Sequence, residues 1–310
     1  MKIIQNFTSN KHYQNIPIID ILIWSCGLNN LKVFKHKLKL YCKSSDIKFL
    51  KDWGLFDFYD EIDTSFLETF ESTVNETNFW SIRKLACIEH EFDISAEPFI
   101  YMDTDIIMNI PLSNPSDLLV WGLEPQRGVY LSWEHYSLPY GYSLPDWLKN
   151  THDAYNCGVL AFKNKEFFNL YLKEFYKFTE GNVCLLSESA EKTFLDSEKR
   201  AIWACTAEQR ILKGLAEKLN WDVTAVNTEA HEHMSESGIH YYILRNNWRQ
   251  LRDRSDFLSE DIKNIIIFQL NSTVQSILAW LPQNIRALFL DRSEELFLFW
   301  EQGIELTTYF

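Results

Sequence analysis

The chain has 310 residues, 46% of them hydrophobic and 15% aromatic, and a formal net charge of -13. A chain of this length and apolar content is able to bury the core of one large domain, or of a domain with an appendage. The acidic charge argues against a nucleic-acid partner, because contacts with a phosphate backbone require clusters of Lys and Arg.

The amino-terminal part alternates between strand and helix patterns. Lys2 to Phe7 predicts a strand, Ile18 to Phe34 a helix and Leu38 to Cys42 a second strand, after which Ser45 is placed to cap a helix through Leu50. Because strands that alternate with helices form sheets covered on both faces, this order predicts a doubly wound α/β sheet.

The most informative stretch is a short apolar run that ends in two carboxylates. Phe99 to Met102 predicts a strand buried in the middle of a parallel sheet, and Asp103 and Asp105 follow at its carboxyl end, where α/β folds bind ligands. Two carboxylates so close to each other repel unless a cation joins them. Mg²⁺ and Mn²⁺ suit this position, because they take oxygen ligands and leave positions free for phosphate.

An apolar strand followed by Asp-x-Asp resembles the DxD motif of the GT-A glycosyltransferases, the enzymes that use nucleotide sugars. The resemblance implies a GT-A fold, which is a Rossmann-like, doubly wound mixed sheet of the α/β class. It also implies that Asp105 binds Mn²⁺ or Mg²⁺, which grips the donor diphosphate, and that Asp103 contacts the metal or the ribose. A solvated turn is the structural alternative. The catalytic alternative is a phosphatase of the haloacid dehalogenase type with Asp103 as nucleophile, although in that class the motif normally follows the first strand.

A helix pattern from Asn78 to His90 precedes this strand and carries Arg83 and Lys84. In family 8 of the GT-A enzymes, which includes glycogenin, a basic residue on the corresponding helix faces the donor. The resemblance therefore implies that Arg83 and Lys84 contact the donor and offset the charge of its diphosphate. The alternative is a solvated helix face.

Two segments after the acidic pair carry candidate donor contacts. The loop from Glu134 to His152 is rich in Pro, Tyr, Gly and Trp, and we expect either a lid over the site or a packed loop. Asn156-Cys157-Gly158 and the apolar residues after it resemble the Asn-x-Gly segment of GT-A proteins, which lies beside the donor sugar. The resemblance implies that Asn156 and Gly158 contact the donor, and an ordinary turn into a strand is the alternative.

Glu208 and Gln209 stand in the first turn of a helix that Thr206 is predicted to cap. The pair resembles the Asp-Gln pair with which family 8 enzymes face the sugar or the acceptor. It implies that Gln209 binds the donor and that Glu208 is a catalytic carboxylate at the sugar, a role for which Asp153 and Glu134 are the other candidates. Glu208 also suits the positive end of the helix dipole, which is the structural alternative.

A histidine late in the chain is the candidate for a third metal ligand. Gly238-Ile239-His240-Tyr241-Tyr242 resembles the stretch near the end of the family 8 core in which a histidine binds the metal, so the resemblance implies that His240 joins Asp103 and Asp105. The match is partial, because the Gly and Lys-Pro that family 8 places before a Trp are replaced by Arg245-Asn246-Asn247 ahead of Trp248.

The cysteines and the apolar runs bear on the compartment. The six cysteines, at positions 26, 42, 87, 157, 184 and 205, form no Cys-x-x-Cys pair, so neither a zinc site of that kind nor a disulfide framework is indicated. The run from Lys2 to Phe7 is too short for a signal peptide, and no apolar run reaches the length of a membrane span. We expect a cytoplasmic location and no transmembrane segment.

Residues 1–255 are predicted to form the GT-A domain, and residues 256–310 a helical C-terminal appendage without a motif. The apolar stripe of the appendage is expected to pack on the domain; exposed, it would instead indicate a partner or the inner face of a membrane. The sequence thus predicts a metal-dependent glycosyltransferase with a UDP-sugar donor, and a non-catalytic sugar-nucleotide-binding relative is the alternative. The acceptor is left open among a glycan, a lipid-linked sugar and a protein.

Overall fold

One seven-stranded mixed sheet, with apolar clusters on both of its faces, contains most of the strands. The computed structural model describes residues 1–8, 18–73, 80–113, 116–124, 132–136, 138, 142–179, 202–227, 234–235, 238–240, 281, 283 and 286–287. Because helices and strands alternate along the chain and the sheet mixes parallel and antiparallel neighbours, the predicted α/β class with a doubly wound mixed sheet is confirmed.

In chain order, the elements of the amino-terminal part are β1 (Lys2–Asn6), α1 (Ile18–Val33), β2 (Lys37–Tyr41), α2 (Ile47–Asp52), β3 (Glu61–Asp63), α3 (Ser65–Thr73), α4 (Trp80–Ile94), β4 (Phe99–Met102) and β5 (Ile106–Met108). Those that follow are β6 (Leu118–Glu124), α5 (Asp146–Lys149), β7 (Ala154–Phe162), α6 (Lys165–Thr179), α7 (Ile211–Lys218), β8 (Val223–Asn227), β9 (Met234–Ser235) and β10 (Gly238–His240). The predicted helix cap at Ser45 is wrong. This residue lies inside a 3₁₀ turn, Ser44–Asp46, and it is the Asp46 carboxylate that accepts a 3.1 Å hydrogen bond from the Lys43 main-chain N–H.

The seven strands lie in the order β3-β2-β1-β4-β7-β6-β8. β1 pairs in parallel with β2 on one side and with β4 on the other, so that Lys2 lies opposite both Lys37 and Phe99. β7 runs antiparallel to both β4 and β6, and β8 is parallel to β6. β4 is therefore central, as predicted, but only one of its two neighbours is parallel. A strand buried on both faces is apolar whichever way its neighbours run, so its sequence does not report their direction.

Consecutive residues of β4 alternate between the two apolar clusters. Ile100 and Met102 belong to the cluster that includes residues of α1, whereas Phe99 and Tyr101 belong to the cluster that includes residues of α4 and α6. All four residues are at most 7% exposed. This double burial explains why the strand before the acidic pair is an uninterrupted apolar run.

A second, three-stranded sheet has the order β5-β10-β9, and its strand β5 directly follows the acidic pair in the chain. β5 lies against α1: the Asn30 side-chain amide donates a 2.9 Å hydrogen bond to the Met108 carbonyl, and a Cβ atom at Gly27 would collide with the Ile106 main-chain oxygen. β10 is antiparallel to β5, which sets His240 opposite Ile106. Helix α1 therefore determines where the chain goes directly after it leaves β4.

The predicted appendage contributes four described residues, Leu281, Gln283, Arg286 and Ala287. Leu281 is buried in the apolar cluster that includes residues of α1, and the Arg286 guanidinium donates a 3.2 Å hydrogen bond to the Leu281 carbonyl. This burial agrees with an appendage that packs on the domain, while the boundary at residue 255 stays a prediction. Within the described ranges, no helix combines the length and the apolar composition that crossing a bilayer requires.

Candidate active site

Lys84 is the cation around which two other predicted site residues, Asp103 and Glu208, meet. Its ammonium nitrogen lies 3.1 Å from Asp103 Oδ2 and 2.8 Å from Glu208 Oε1, and it donates a 3.0 Å hydrogen bond to the Cys157 carbonyl. Lys84 thereby joins four parts of the chain at one point: α4, the end of β4, β7 and the turn that precedes α7. A lysine has three N–H donors, and these three acceptors use all of them. A direct contact with a donor phosphate would therefore have to replace one of these bonds.

Burial and charge act in opposite directions on this cluster. Burial lowers the pKa of Lys84, but the carboxylates of Asp103 and Glu208 outweigh it and hold the pKa above its ordinary value. Burial raises the pKa of Glu208, and the neighbouring Asp103 carboxylate adds to this increase although Lys84 opposes it. The Glu208 side chain is 1% exposed and the Asp103 side chain 31%, so Asp103 is the carboxylate of the pair that a ligand can reach.

The main chain of Asp103 is held from both sides while its carboxylate lies at the edge of the sheet. The Asp103 N–H donates a 2.7 Å hydrogen bond to the Gly158 carbonyl on β7, and the Gln5 side chain donates a 3.4 Å hydrogen bond to the Asp103 carbonyl from β1. Asp105 follows two residues later and is partly buried, just before β5. The structure thus places both predicted acidic ligands at the carboxyl end of a central strand.

The third predicted metal ligand, His240, has a described main chain, whereas its side chain lies outside the described residues. The pairing of β10 with β5 places the His240 main chain opposite Ile106, the neighbour of Asp105 in the chain. Among the described side chains, no group of three or more His, Cys, Asp or Glu residues is arranged to hold a metal ion. Two carboxylates and an imidazole are a donor set that Mn²⁺ accepts, so Asp103, Asp105 and His240 are residue types that suit a metal site.

Glu208 and Gln209 lie in a π-helical turn, Thr206–Arg210, that leads directly into α7. The predicted cap at Thr206 is wrong: the backbone is already helical at residues 202–205, and the Thr206 hydroxyl lies 2.7 Å from the Tyr136 hydroxyl. The Tyr171 hydroxyl donates a 2.9 Å hydrogen bond to the Glu208 carbonyl. π-helical turns are rare and occur frequently at functional sites, and this one presents Glu208 to Lys84.

Asn156 and Gly158 lie inside β7, so the structural alternative of an ordinary turn before a strand is wrong, while their contact with the donor stays a prediction. Val120 pairs with Leu160 but Gly122 pairs with Asn156, so β7 has three residues where β6 has one. The segment is therefore a bulge in a paired strand, and long-range pairing rather than local turn chemistry decides its conformation.

The Asn156 side chain is buried, and its amide makes hydrogen bonds within the protein. The Asn156 Nδ2 group donates a 2.5 Å hydrogen bond to Glu124 Oε1, and Asn156 Oδ1 accepts a 2.9 Å hydrogen bond from the Gly158 N–H. Sequence reasoning missed Glu124. The signal that could have found it is the one that singled out Asp103, a carboxylate at the end of an apolar strand.

Parts of the predicted lid segment, and Trp133 directly before it, are packed against the π-helical turn. The Arg210 guanidinium lies 3.8 Å from the centroid of the Trp133 ring, and Arg210 Nε donates a 2.6 Å hydrogen bond to the Thr151 carbonyl. Trp133 Nε1 donates a 2.9 Å hydrogen bond to the Leu148 carbonyl. These parts of the segment correspond to the packed-loop alternative, and Tyr140 lies outside the described residues.

The remaining predicted residues have other surroundings. The Glu134 side chain is 77% exposed and lies 3.8 Å from His135, while Asp153 forms a 2.9 Å ion pair with Lys213. Arg83 and Gln209 are partly exposed, each next in the chain to a member of the Lys84 cluster. Within the described contacts, none joins Glu134 or Asp153 to that cluster, and their catalytic roles stay predictions.

A family described as a family of unknown function (DUF6734) matches residues 1–251. The chain belongs to this family. No curated protein matches the sequence of this DUF6734 member.

Several solved structures are similar to this DUF6734 member. They include the glycosyltransferase GlyE of Streptococcus pneumoniae TIGR4, with 12% identity, 72% of this chain and 44% of that chain covered, and a TM-score of 0.30. The galactosyltransferase LgtC, in complex with donor and acceptor sugar analogs, shows 11% identity, coverage of 69% and 70%, and a TM-score of 0.33. The PaToxG glycosyltransferase shows 12% identity, coverage of 96% and 82%, and a TM-score of 0.33. The chain spans less than half of the GlyE chain. At these identities and TM-scores, the likenesses carry no conclusion about activity.

Proposed function

We propose that the protein is a metal-dependent glycosyltransferase of the GT-A type, which transfers a sugar from a UDP-sugar to an acceptor. The observation that carries the proposal is the arrangement at the carboxyl end of β4. Asp103 and Asp105 lie there at the edge where α/β sheets bind ligands, and the main chain of His240 reaches the same edge, opposite Ile106.

The residues that would hold Mn²⁺ or Mg²⁺ are Asp103, Asp105 and His240. When bound, the ion would offset the negative charge of the donor diphosphate and of the departing nucleotide. The charges at the site support the need for such an ion, because the two carboxylates of Asp103 and Glu208 share the single ammonium of Lys84. Without a further cation, this edge of the sheet would repel a diphosphate.

Lys84 holds Asp103 and Glu208 in place, so that the protein's own residues shape the site before a donor arrives. Gln209, on the same π-helical turn as Glu208 and partly exposed, is the side chain we assign to a sugar hydroxyl, and Asn156 and Gly158 are the β7 residues assigned to the donor side. Transfer breaks the bond between the anomeric carbon and the diphosphate and forms a bond to the acceptor oxygen, whose proton has to leave. Asp153 and Glu134 are the carboxylates to test for that proton.

The experiment that tests the proposal is a donor screen with and without metal. We expect UDP to raise the melting temperature in the presence of Mn²⁺ or Mg²⁺ and not in excess chelator, because a ligand that binds only the folded state stabilises it. We also expect slow, Mn²⁺-dependent hydrolysis of at least one UDP-sugar. Equal stabilisation by UDP in chelator would contradict the metal site. A phosphorylated Asp103 after incubation with phosphate esters would establish the phosphatase instead, and Mn²⁺-dependent UDP binding without turnover of any nucleotide sugar would indicate a non-catalytic relative.

His240 gives a second test of the same site. His240→Ala should weaken the Mn²⁺-dependent stabilisation by UDP while leaving the melting temperature without ligand nearly unchanged, because an imidazole that binds metal serves the ligand and not the core. A variant that unfolds, or one that binds UDP and Mn²⁺ like the wild type, would remove His240 from the ligand set.

A further inference from the structure

We propose that Glu124 is a positioning residue, which holds the Asn156 amide in one orientation and, through Gly158, fixes the main chain of Asp103. The inference deepens the proposed function, since it explains how the chain aligns Asp103 at the donor site. Glu124 does not itself have to touch the substrate for this role.

The inference rests on three consecutive hydrogen bonds. Glu124 Oε1 accepts a 2.5 Å hydrogen bond from Asn156 Nδ2, and Asn156 Oδ1 accepts a 2.9 Å hydrogen bond from the Gly158 N–H. The Gly158 carbonyl then accepts a 2.7 Å hydrogen bond from the Asp103 N–H. A carboxylate side chain is thus connected to the first residue of the acidic pair through one buried amide and through the two peptide groups that meet at Gly158.

A carboxylate is the group that makes this chain of bonds directional. An ionised Glu only accepts hydrogen bonds, whereas an Asn amide donates at one end and accepts at the other. With Glu124 at one side, the Asn156 amide has to present Nδ2 to the carboxylate and Oδ1 to the Gly158 N–H. Because one partner is charged, the bond from Asn156 to Glu124 belongs to the stronger class.

The bulge in β7 and a glycine in β6 permit this contact. Gly122 pairs with Asn156 and Glu124 pairs with Ala154, so Glu124 and Asn156 are diagonal neighbours across the two strands. Gly122, which stands between them, has no side chain. A Cβ atom there would lie 3.0 Å from the Asn227 carbonyl oxygen on β8, so a side chain at this position would press against β8.

The decisive test reverses donor and acceptor in this pair. Asn156→Asp places two carboxylates face to face: it abolishes the bond to Glu124, and the repulsion should push the new carboxylate away from the Gly158 N–H. Glu124→Gln keeps an acceptor oxygen and should have a small effect. In the double variant, Glu124→Gln with Asn156→Asp, the amide introduced at position 124 donates to the new carboxylate at position 156. That carboxylate still accepts from the Gly158 N–H, so both bonds are restored.

Two readouts follow the bonds without any assumption about catalysis. Hydrogen exchange at the Gly158 and Asp103 amides should be about tenfold faster in Asn156→Asp, the effect expected for the loss of a charge-assisted hydrogen bond, and within about threefold of wild type in the double variant. The melting temperature should be lowest in Asn156→Asp and should return close to the wild-type value in the double variant. Asn164→Asp is the matched control, because Asn164 Oδ1 only accepts hydrogen bonds, from the Glu166 and Phe167 N–H groups, and a carboxylate accepts them equally well.

A third readout separates positioning from mere stability. The affinity for UDP with Mn²⁺ should fall about tenfold in Asn156→Asp and recover in the double variant, because Asp103 would lose and regain its alignment. If the exchange rates and melting temperatures follow the predicted order but even the wild type does not bind UDP, the positioning role of Glu124 would be supported. The proposed glycosyltransferase function would then be rejected.

Other outcomes would overturn the positioning role. They are an Asn156→Asp variant with wild-type exchange, and a double variant as damaged as Asn156→Asp. If Asn156→Asp fails to fold, Glu124→Ala takes its place, since it removes the acceptor without adding a charge. Unchanged exchange at Gly158 in Glu124→Ala would equally refute the proposal.

Discussion

Lys84 and Glu91 reach toward the sheet from the same side of helix α4, about two helical turns apart, and carry opposite charges into it. Lys84 pairs with the carboxylates of the candidate site, whereas the fully buried Glu91 carboxylate lies 2.8 Å from the ammonium of Lys2 and 2.8 Å from that of Lys39. Helix α4 is therefore fixed to the sheet at both ends by ion pairs. The position of Lys84 in the site depends on both of them.

Glu91→Gln should destabilise the protein by about 3–5 kcal/mol, because it removes the buried carboxylate that two buried ammonium groups share and leaves them only the half-exposed Glu61. Urea denaturation monitored by far-UV circular dichroism measures this difference. The control is Glu97→Gln, which removes a carboxylate that is 64% exposed and lies 3.8 Å from Lys37, and it should change the free energy of unfolding by less than about 1 kcal/mol. Equal effects of the two substitutions would contradict a structural role for the buried cluster.

The same carboxylate should make stability depend on pH. Burial alone would raise the pKa of Glu91, but hydrogen bonds from Lys2, Lys39 and Tyr41 outweigh it and lower the pKa below the ordinary value of 4.5. A group with a lowered pKa in the folded state contributes stability above its unfolded pKa and loses that contribution as the pH falls through the folded pKa. The free energy of unfolding of the wild type should therefore decrease more steeply below pH 4.5 than that of Glu91→Gln. Parallel curves for the two proteins would exclude Glu91 as the titrating group.

Lys84→Met should destabilise the protein by about 3–5 kcal/mol, because Glu208 would remain buried without its partner. Adding Glu208→Gln should recover a substantial part of this loss, since it removes the unpaired charge while keeping the shape of the side chain. The coupling energy from this double-mutant cycle, measured by urea denaturation, should exceed about 1 kcal/mol. Additive effects would mean that the 2.8 Å contact between Lys84 and Glu208 contributes nothing to stability.

Asp105→Asn should leave a folded protein that no longer turns over the donor, because it would remove one of the carboxylates that we propose as metal ligands. Nucleotide-sugar hydrolysis should fall by at least about a hundredfold, while the melting temperature without ligand stays close to that of the wild type. Asp93→Asn is the matched control, as Asp93 is an exposed residue of α4 that pairs with Lys165. Normal turnover in Asp105→Asn would eliminate Asp105 as a ligand.

Leu281→Ala should cost about 2–5 kcal/mol of stability, the range for truncating a buried leucine, although position 281 belongs to the predicted appendage. Its side chain is 3% exposed and packs in the apolar cluster that includes residues of α1. Gln283→Ala, at an exposed neighbouring position, serves as the control and should be nearly neutral. A neutral Leu281→Ala would show that the appendage contributes little to the core, and chemical denaturation distinguishes the two results.

How far the sequence predicts the fold depends on which interactions determine each element. β1, α1, β2 and β4 were predictable because burial imposes an apolar pattern that can be read within each segment. The bulge at Asn156 was not, because it arises from the pairing of β7 with β6. The π-helical turn was not either, since its contacts with Tyr136 and Thr151 join residues far apart in the chain.

In the candidate site, too, features that depend on one segment were predictable, and features that depend on contacts between segments were not. The positions of Asp103 and Asp105 followed from a local pattern, a carboxylate pair after an apolar strand. That Lys84 would pair with Asp103 and Glu208 could not be read from a sequence, because this contact exists only once α4, β4 and the π-helical turn have packed together. Glu124 carried a comparable local signal, but its contact with Asn156 could not be read from the sequence, since Asn156 lies on another strand.

The absence of a side chain at Gly27 has a consequence at a distance. β5 can approach α1 only because nothing projects from the helix at that position, and β5 in turn pairs with β10. The clearance between α1 and β5 therefore also affects the position of β10, and with it that of the His240 main chain. The size of the proposed metal site would then depend partly on Gly27, a position that holds no ligand. Gly27→Ala adds one methyl group there and should change the distance between the proposed ligands without replacing any of them.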